Sequence, residues 1–211
     1  MLKVGLTGSI AVGKSFVVSV FAELGCVVFD ADKVAHSVME PGRAAYLDLV
    51  KEFGDGILGA DSKIDRMKLG PIIFADAERR RRLNEIVHPH VIEEQNRLLK
   101  EAEARQPQGI SIIDAALMIE SGGYKRFDKL IVVYCDRETQ IARLMKRNQL
   151  TREDAERRIE AQMSSEEKRR YADYEIDTSG AFEETRQRVR AIYRQLISDQ
   201  QANFQPDPSN H

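Results

Sequence analysis

The stretch Leu2-Lys3-Val4-Gly5-Leu6-Thr7-Gly8-Ser9-Ile10-Ala11-Val12-Gly13-Lys14-Ser15 opens with an apolar run, passes through a glycine-bounded turn and ends on a lysine–serine pair. The apolar run reads as a strand and residues 8–13 as a loop. Residues 14–24 read as a helix, because Val17, Val20, Phe21 and Leu24 recur at helical spacing, and Gly25 terminates it. The turn fits the pattern G-x-x-x-x-G-K-[ST]. Its glycines let the backbone turn tightly, so that successive amide N–H groups converge on phosphate oxygens. The helix that follows aims its N-terminus at the same anion. In this pattern Lys14 reaches the β- and γ-phosphates of a nucleoside triphosphate, and the Ser15 hydroxyl ligates Mg²⁺. A chance glycine turn would not explain the strand before it and the helix after it.

Outward from this stretch, Cys26-Val27-Val28-Phe29 reads as a second strand ending at Asp30, with another helix from about Asp32. Strand, loop, helix, strand, helix predicts an α/β fold with a parallel sheet covered by helices. The middle of the chain is charged and helical over residues 43–53, 66–74 and 77–104, with a break or kink expected at His88-Pro89. Ile110-Ser111-Ile112-Ile113, ending at Asp114, and residues 129–135 are near-continuous apolar runs suited to central parallel strands. Asp136 is placed to cap a helix reaching about Arg147. Thr151, with Asp154 three residues on, resembles a capping box for the next. Tyr174-Glu175-Ile176-Asp177 reads as a last strand and residues 182–197 as a last helix. The polar tail from residue 200, with two prolines, is expected to be disordered.

The chain has 211 residues, enough for one sizeable core with a small inserted subdomain. A formal net charge of −2 argues against a dedicated nucleic-acid binder. Cys26 and Cys135 sit in apolar runs and are expected to be buried free thiols. With a strand starting at residue 2 and no apolar run near the length of a membrane span, the expectation is a cytoplasmic protein without a membrane partner.

The loop alone does not choose among nucleotide-binding classes. No N-K-x-D guanine-reading motif is present. Asp177-Thr178-Ser179-Gly180 matches D-x-x-G but lies too late for a γ-phosphate switch, and reads as a turn after a strand. A transporter-type signature is absent as well. Small P-loop kinases and non-enzymatic nucleotide sensors remain. Asp30-Ala31-Asp32 ends the second strand, at the edge where open α/β sheets bind ligands. At least one of these carboxylates is expected in an active site, although Asp32 could equally cap a helix starting at Lys33. Asp114 ends another strand and could face Mg²⁺ through water. Arg143 and Arg147 are four apart and share a helix face from which they could offset charge on a transferring phosphoryl group.

Several segments in order resemble the dephospho-CoA kinase family. They are the phosphate loop; Phe29-Asp30-Ala31-Asp32 with Ala35-His36 and Pro41-Gly42; Ile64-Asp65-Arg66 with Phe74; and His88-Pro89. Further on come Leu117-Met118-Ile119-Glu120-Ser121-Gly122, Arg143-Leu144 with Arg147, Ala161-Gln162, and Ile176-Asp177 with Gly180. The resemblance implies a P-loop kinase core over about 1–42, 108–147 and 172–200. It also implies a helical acceptor-binding subdomain over about 43–107 and a lid over about 148–171. The reaction it implies passes the γ-phosphoryl of ATP, with Mg²⁺, to the ribose 3′-hydroxyl of dephospho-CoA. Asp32 would then accept or orient the hydroxyl proton, with Lys14, Arg143 and Arg147 around the phosphoryl group. Gly8, Ser9, Ile10, Ala11, Val12, Gly13, Lys14, Ser15 and Phe16 would hold the nucleotide. Arg66 would lie near the acceptor; His88 could contact it or serve a structural hydrogen bond. Glu120 is as readily structural as catalytic.

The expected partner is this small molecule, with the chain a monomer or weak homo-oligomer. Ser9 and Ala11 stand where the family commonly has glycine, Phe16 where it has threonine, Ala116 where it has proline and Thr178 where it has asparagine. The run Arg79-Arg80-Arg81-Arg82 wraps a helix and reads as a solvated surface.

Overall fold

A computed structural model describes residues 1–204, which divide into two compact units, residues 1–29 with 102–204 and residues 30–101. The first unit is built on a five-stranded sheet. Its strands are β1 (Leu2–Thr7), β2 (Val27–Asp30), β3 (Ile110–Asp114), β4 (Lys129–Tyr134) and β5 (Tyr174–Asp177), in the order β2-β3-β1-β4-β5. β1 is central and parallel to both β3 and β4, and β4 is parallel to β5. That position explains why β1 is apolar almost throughout: a central parallel strand is covered on both faces.

Leu2, Val4 and Leu6 alternate onto one face and pack in a common core with Val17 and Phe21 of α1 (Lys14–Glu23). Val189 and Leu196 of the last helix join the same core. Gly5 points the other way. A Cβ there would lie 2.5 Å from the Met118 sulfur and 2.9 Å from the Phe127 ring, so the segment after β3 packs directly on the β1 backbone.

Between β4 and β5 run three helices, α6 (Arg137–Asn148), α7 (Arg152–Glu160) and α8 (Ser165–Arg169). Each starts at a side-chain cap: Asp136 accepts from the Thr139 amide at 2.8 Å, and Thr151 from that of Asp154 at 3.2 Å. Ser164 and Glu167 form a reciprocal capping box at the third start, one that the sequence reading did not single out. Asp177 Oδ1 accepts from the Ser179 amide and hydroxyl, so Asp177-Thr178-Ser179-Gly180 is the side-chain-closed turn that its position suggested. The last helix, α9 (Phe182–Phe204), runs past the expected end. Residues 200–204, expected in the tail, are helical, and the rest of that tail lies outside the described residues.

The second unit is helical: α2 (Ala31–Val38), α3 (Ala44–Phe53), α4 (Arg66–Ala75) and most of α5 (Ala77–Arg105). Val38, Ala45, Leu49, Ile57, Leu69 and Val87 make its core. The sequence reading is corrected at Pro89, where α5 does not break. Proline removes one helix hydrogen bond and crowds the preceding turn. Here Ile86 and Val87 before it and Val91 after it all pack into the same core, which holds both sides of the helix together. The arginine run at its start is exposed, with Arg81 paired to Glu78 and Arg82 to Glu52 and Glu85.

Both cysteines are buried free thiols. Burial pushes Cys26 up to about 12 and Cys135 up to about 11, the latter despite the nearby Arg143 guanidinium. Since the thiolate is the reactive form, titration of the folded protein with a thiol reagent at pH 8 should find neither group reacting quickly. Both should react once denaturant is added. Rapid reaction of either thiol without unfolding would contradict the assignment.

Candidate active site

Residues 8–15 leave β1 and enter α1 as one continuous loop lining a cavity of about 410 Å³. Ala116, Arg143, Arg147 and Gln162 line the same cavity. The loop glycines are required by geometry at two points. A Cβ on Gly8 would lie 2.5 Å from the Val133 carbonyl oxygen, inside any allowed contact. Gly13 sits at φ 81°, the left-handed region, with Thr178 Oγ1 3.2 Å from where its Cβ would be.

Most of the loop is held from behind by polar side chains of other segments, two buried and one half-buried, rather than by its own. Thr178 Oγ1 donates to the Val12 carbonyl at 2.6 Å. Gln140 Nε2 donates to the Ile10 carbonyl at 2.7 Å, and the Ile10 amide donates to Gln162 Oε1 at 2.8 Å. Ser9 turns its hydroxyl outward to the Met163 carbonyl at 2.9 Å. Ser9 therefore replaces glycine without intruding on the cradle. The Ile10 and Ala11 side chains pack against the apolar cluster of Ile141, Leu144, Ala155 and Ile159 from α6 and α7. Phe16 packs edge-on against Phe182, centroids 4.8 Å apart. Gln140, Gln162 and Thr178 had no role at the loop in the sequence reading. Gln162 enters that reading only within the pair Ala161-Gln162, and Thr178 only as part of a turn and as a departure from the family's asparagine; their loop partners are about 150 residues away or more, beyond any local pattern.

The charged groups divide by how they are held. Lys14 Nζ pairs with the Asp114 carboxylate at the end of β3, both largely buried. Arg143 gives Nη1 to Thr178 Oγ1 at 3.0 Å and Nη2 to the Thr178 carbonyl at 2.7 Å, which fixes its planar fork. Arg147, one turn on, is exposed and bonds only its neighbour Asn148, through Nε at 2.9 Å, among the described residues. The Ser15 hydroxyl is exposed and makes no hydrogen bond among the described residues. A hydroxyl and a carboxylate beside a phosphate cradle are the hard oxygen donors that suit Mg²⁺, which keeps most of its ligands from water and substrate phosphates. No group of three or more His, Cys, Asp or Glu side chains among the described residues could hold a metal by itself.

Asp32, Arg66 and His88 belong to the unit of residues 30–101. Asp30, not Asp32, caps α2, accepting from the Asp32 amide at 2.9 Å and the Lys33 amide at 3.1 Å. The Asp32 carboxylate is exposed and makes no hydrogen bond or ion pair among the described residues. Its alternative role as a helix cap is therefore removed. Arg66 is the exposed first residue of α4, whose cap is Asp65, and His88 is exposed on α5.

Comparison with known proteins points one way. A family model described as dephospho-CoA kinase matches residues 2–184. The chain is 45% identical over 199 residues to a dephospho-CoA kinase of Aquifex aeolicus, covering 94% of this chain and all of that one. To that of Geobacillus kaustophilus it is 45% identical over 196 residues, covering 92% and 96%. Among solved structures it is similar to a dephospho-CoA kinase from Campylobacter jejuni, with TM-score 0.62, 27% identity and coverage of 92% and 96%. A Thermus thermophilus structure gives TM-score 0.76 at 30% identity, covering 92% and 97%.

The two loop residues with positive φ, Ala11 and Gly13, should respond differently to exchange of alanine and glycine. Ala11 lies at φ 61°, which costs an L-residue about 1–2 kcal/mol. Its packed methyl recovers about 0.8 kcal/mol, so Ala11→Gly should move stability by less than about 1 kcal/mol in either direction. Gly13→Ala gains the left-handed strain and a crowded contact without a compensating pocket, so it should cost about 2 kcal/mol. Thermal unfolding of both variants checks this. A loss for Ala11→Gly as large as that for Gly13→Ala would overturn this balance, because the methyl would then contribute well beyond its strain.

Proposed function

The chain belongs to the dephospho-CoA kinase family, and from that premise we propose how its residues transfer the γ-phosphoryl of ATP to the ribose 3′-hydroxyl of dephospho-CoA. The observation that carries the proposal is a phosphate cradle with a paired lysine, in a chain whose second strand leads to an unengaged carboxylate. The backbone amides of residues 11–15 and the first turn of α1 take the β- and γ-phosphates, the Ile10 amide being held by Gln162. Lys14, prepositioned by Asp114, supplies a positive charge to the phosphate oxygens. Ser15, with Asp114 through water, would hold Mg²⁺, which neutralises phosphate charge when bound.

The 3′-oxygen forms its bond to the γ-phosphorus as the bond to the β,γ-bridging oxygen breaks and ADP leaves. The hydroxyl proton goes to Asp32, whose carboxylate is free to receive it because Asp30 serves as the cap. Arg147 supplies mobile positive charge to the transferring group, and Arg143 a fixed one beside the loop. Residues 148–171 act as the lid that excludes water. The helical residues of about 43–107 bind the acceptor, with Arg66 and His88 in contact with it. The reaction runs in the cytoplasm without a nucleic-acid partner, by a monomer or weak homo-oligomer. No helix among the described residues is long and apolar enough to cross a membrane.

A coupled assay following ADP release with ATP and dephospho-CoA tests the activity, and no release above background from folded protein would refute it. Asp32→Asn should lower turnover by about 10²–10⁴-fold, the range of a lost general base, while ATP still binds. Turnover near that of the unmodified chain would take Asp32 out of the mechanism.

A further inference from the structure

Lys168 of α8 is 0% exposed, and nothing in the chemistry above uses it. Its ammonium has three N–H groups and meets three oxygens. These are the Ala116 carbonyl at 2.7 Å and the two Glu120 carboxylate oxygens at 2.7 and 3.0 Å. The ammonium is fully buried while the Glu120 carboxylate keeps 25% of its surface, and desolvating a lysine to this extent offsets much of the attraction that the pair gains. Stability alone therefore explains its presence poorly.

The pair joins two segments that both end on the phosphate loop. On one side lies the chain after β3. Asp114 there holds Lys14, and the Ala116 carbonyl, which also accepts from Thr7 Oγ1 at 3.1 Å, lines the phosphate cavity. On the other side lies the chain leading into α8. Gln162 there holds the Ile10 amide, and the Met163 carbonyl accepts from Ser9. Lys168 does not touch the loop itself; it bonds Ala116 of the cavity wall and so sits between the two segments that grip the loop from either side.

We propose that Lys168 is a positioning residue for phosphoryl transfer. Acting through Ala116 and Glu120, it fixes the register of the Asp114 and Gln162–Met163 contacts, and so the placement of the bound triphosphate. This rests on the reading that the loop binds ATP for transfer. The Glu120 carboxylate is thereby assigned to the framework of the site rather than to the reacting atoms.

The test separates positioning from mere support. Lys168→Met and the double variant Lys168→Met/Glu120→Leu are compared with the unmodified chain by thermal unfolding, ATP affinity from calorimetry, and steady-state kinetics with ATP and dephospho-CoA. Lys168→Met leaves the Ala116 carbonyl and the partly exposed Glu120 carboxylate without the ammonium, and should unfold at a lower temperature. The double variant should recover that temperature, since both charges are gone.

Its kcat should nevertheless stay about 100-fold low, the scale of a small misplacement at the reacting centre. Its Kd for ATP should stay about tenfold weak, the scale of one charge-assisted hydrogen bond. Recovery of kcat and ATP affinity together with thermal stability would overturn the proposal. Should the double variant not fold, Glu120→Gln, which retains the shape, should lower kcat with little change in unfolding temperature; an unchanged kcat would overturn the proposal equally. If the unmodified chain transfers nothing to dephospho-CoA, the acceptor assignment fails by itself, and the ATP affinities of the same variants still decide the role of Lys168.

Discussion

The phosphate loop must present a row of backbone amides to an anion, and a backbone with that many N–H groups aimed at one point cannot hold itself. Amides directed into a cradle are withdrawn from the hydrogen bonds that would stiffen the loop. The stiffness here comes from outside. Thr178, Gln140 and Gln162 each bond the loop backbone, and Ser9 bonds outward to Met163. Ser9, Gln140 and Thr178 are buried, so these bonds are made in a medium where an unpaired polar group would be costly, and breaking one is correspondingly unfavourable. The rest of the first unit can be understood as the scaffold that delivers those side chains. β5 and its turn bring Thr178, α6 brings Gln140, and the α7–α8 connection brings Gln162 and Met163.

The same constraint explains the composition of the loop. A loop held by its own flexibility would favour glycine at every turn position. This one carries Ser9 and Ala11 because their side chains point away from the cradle, one to a carbonyl and one to an apolar cluster. Glycine is kept where the backbone itself is in the way: at Gly8 against the β4 carbonyl of Val133, and at Gly13 where the chain turns left-handed into α1 beneath Thr178. Departure from a glycine-rich pattern is thus paired with external packing at the same residues, and the amide geometry of the cradle need not change.

What could be read in the sequence follows from the range of the forces involved. The strand, loop and helix at the N-terminus announce themselves because strand burial, glycine turns and helical periodicity are all local. The caps at Asp136 and Thr151 are local for the same reason. Asp30 and Asp32 were harder, since both precede a helix. Only the backbone geometry decides that Asp30 takes the amides and leaves Asp32 without a partner among the described residues. Pro89 misled because proline's cost is local while the packing that carries α5 through it comes from elsewhere in the helical unit. The bracing residues Gln140, Thr178 and Lys168 were not legible at all. Their partners lie tens to more than a hundred residues away, and a lone glutamine, threonine or lysine in a polar helix or turn carries no spacing signal.

Arg143 and Arg147 show how far a shared helix face falls short of a shared role. Their spacing puts both on the cavity side of α6, and both line it. Arg143 spends its fork on the hydroxyl and carbonyl of Thr178, the same residue that holds the Val12 carbonyl. It is a fixed positive charge built into the wall, and its position is tied to that of the loop. Arg147 bonds its neighbour Asn148, stays exposed, and loses little by leaving that contact. Phosphoryl transfer asks for both kinds of charge. One must be in place before the substrate arrives, so that no reorganisation is needed, and one must be able to follow negative charge as it moves during the transfer. In the proposed mechanism the pair would meet both needs because Arg143 is held at Thr178 while Arg147 stays exposed.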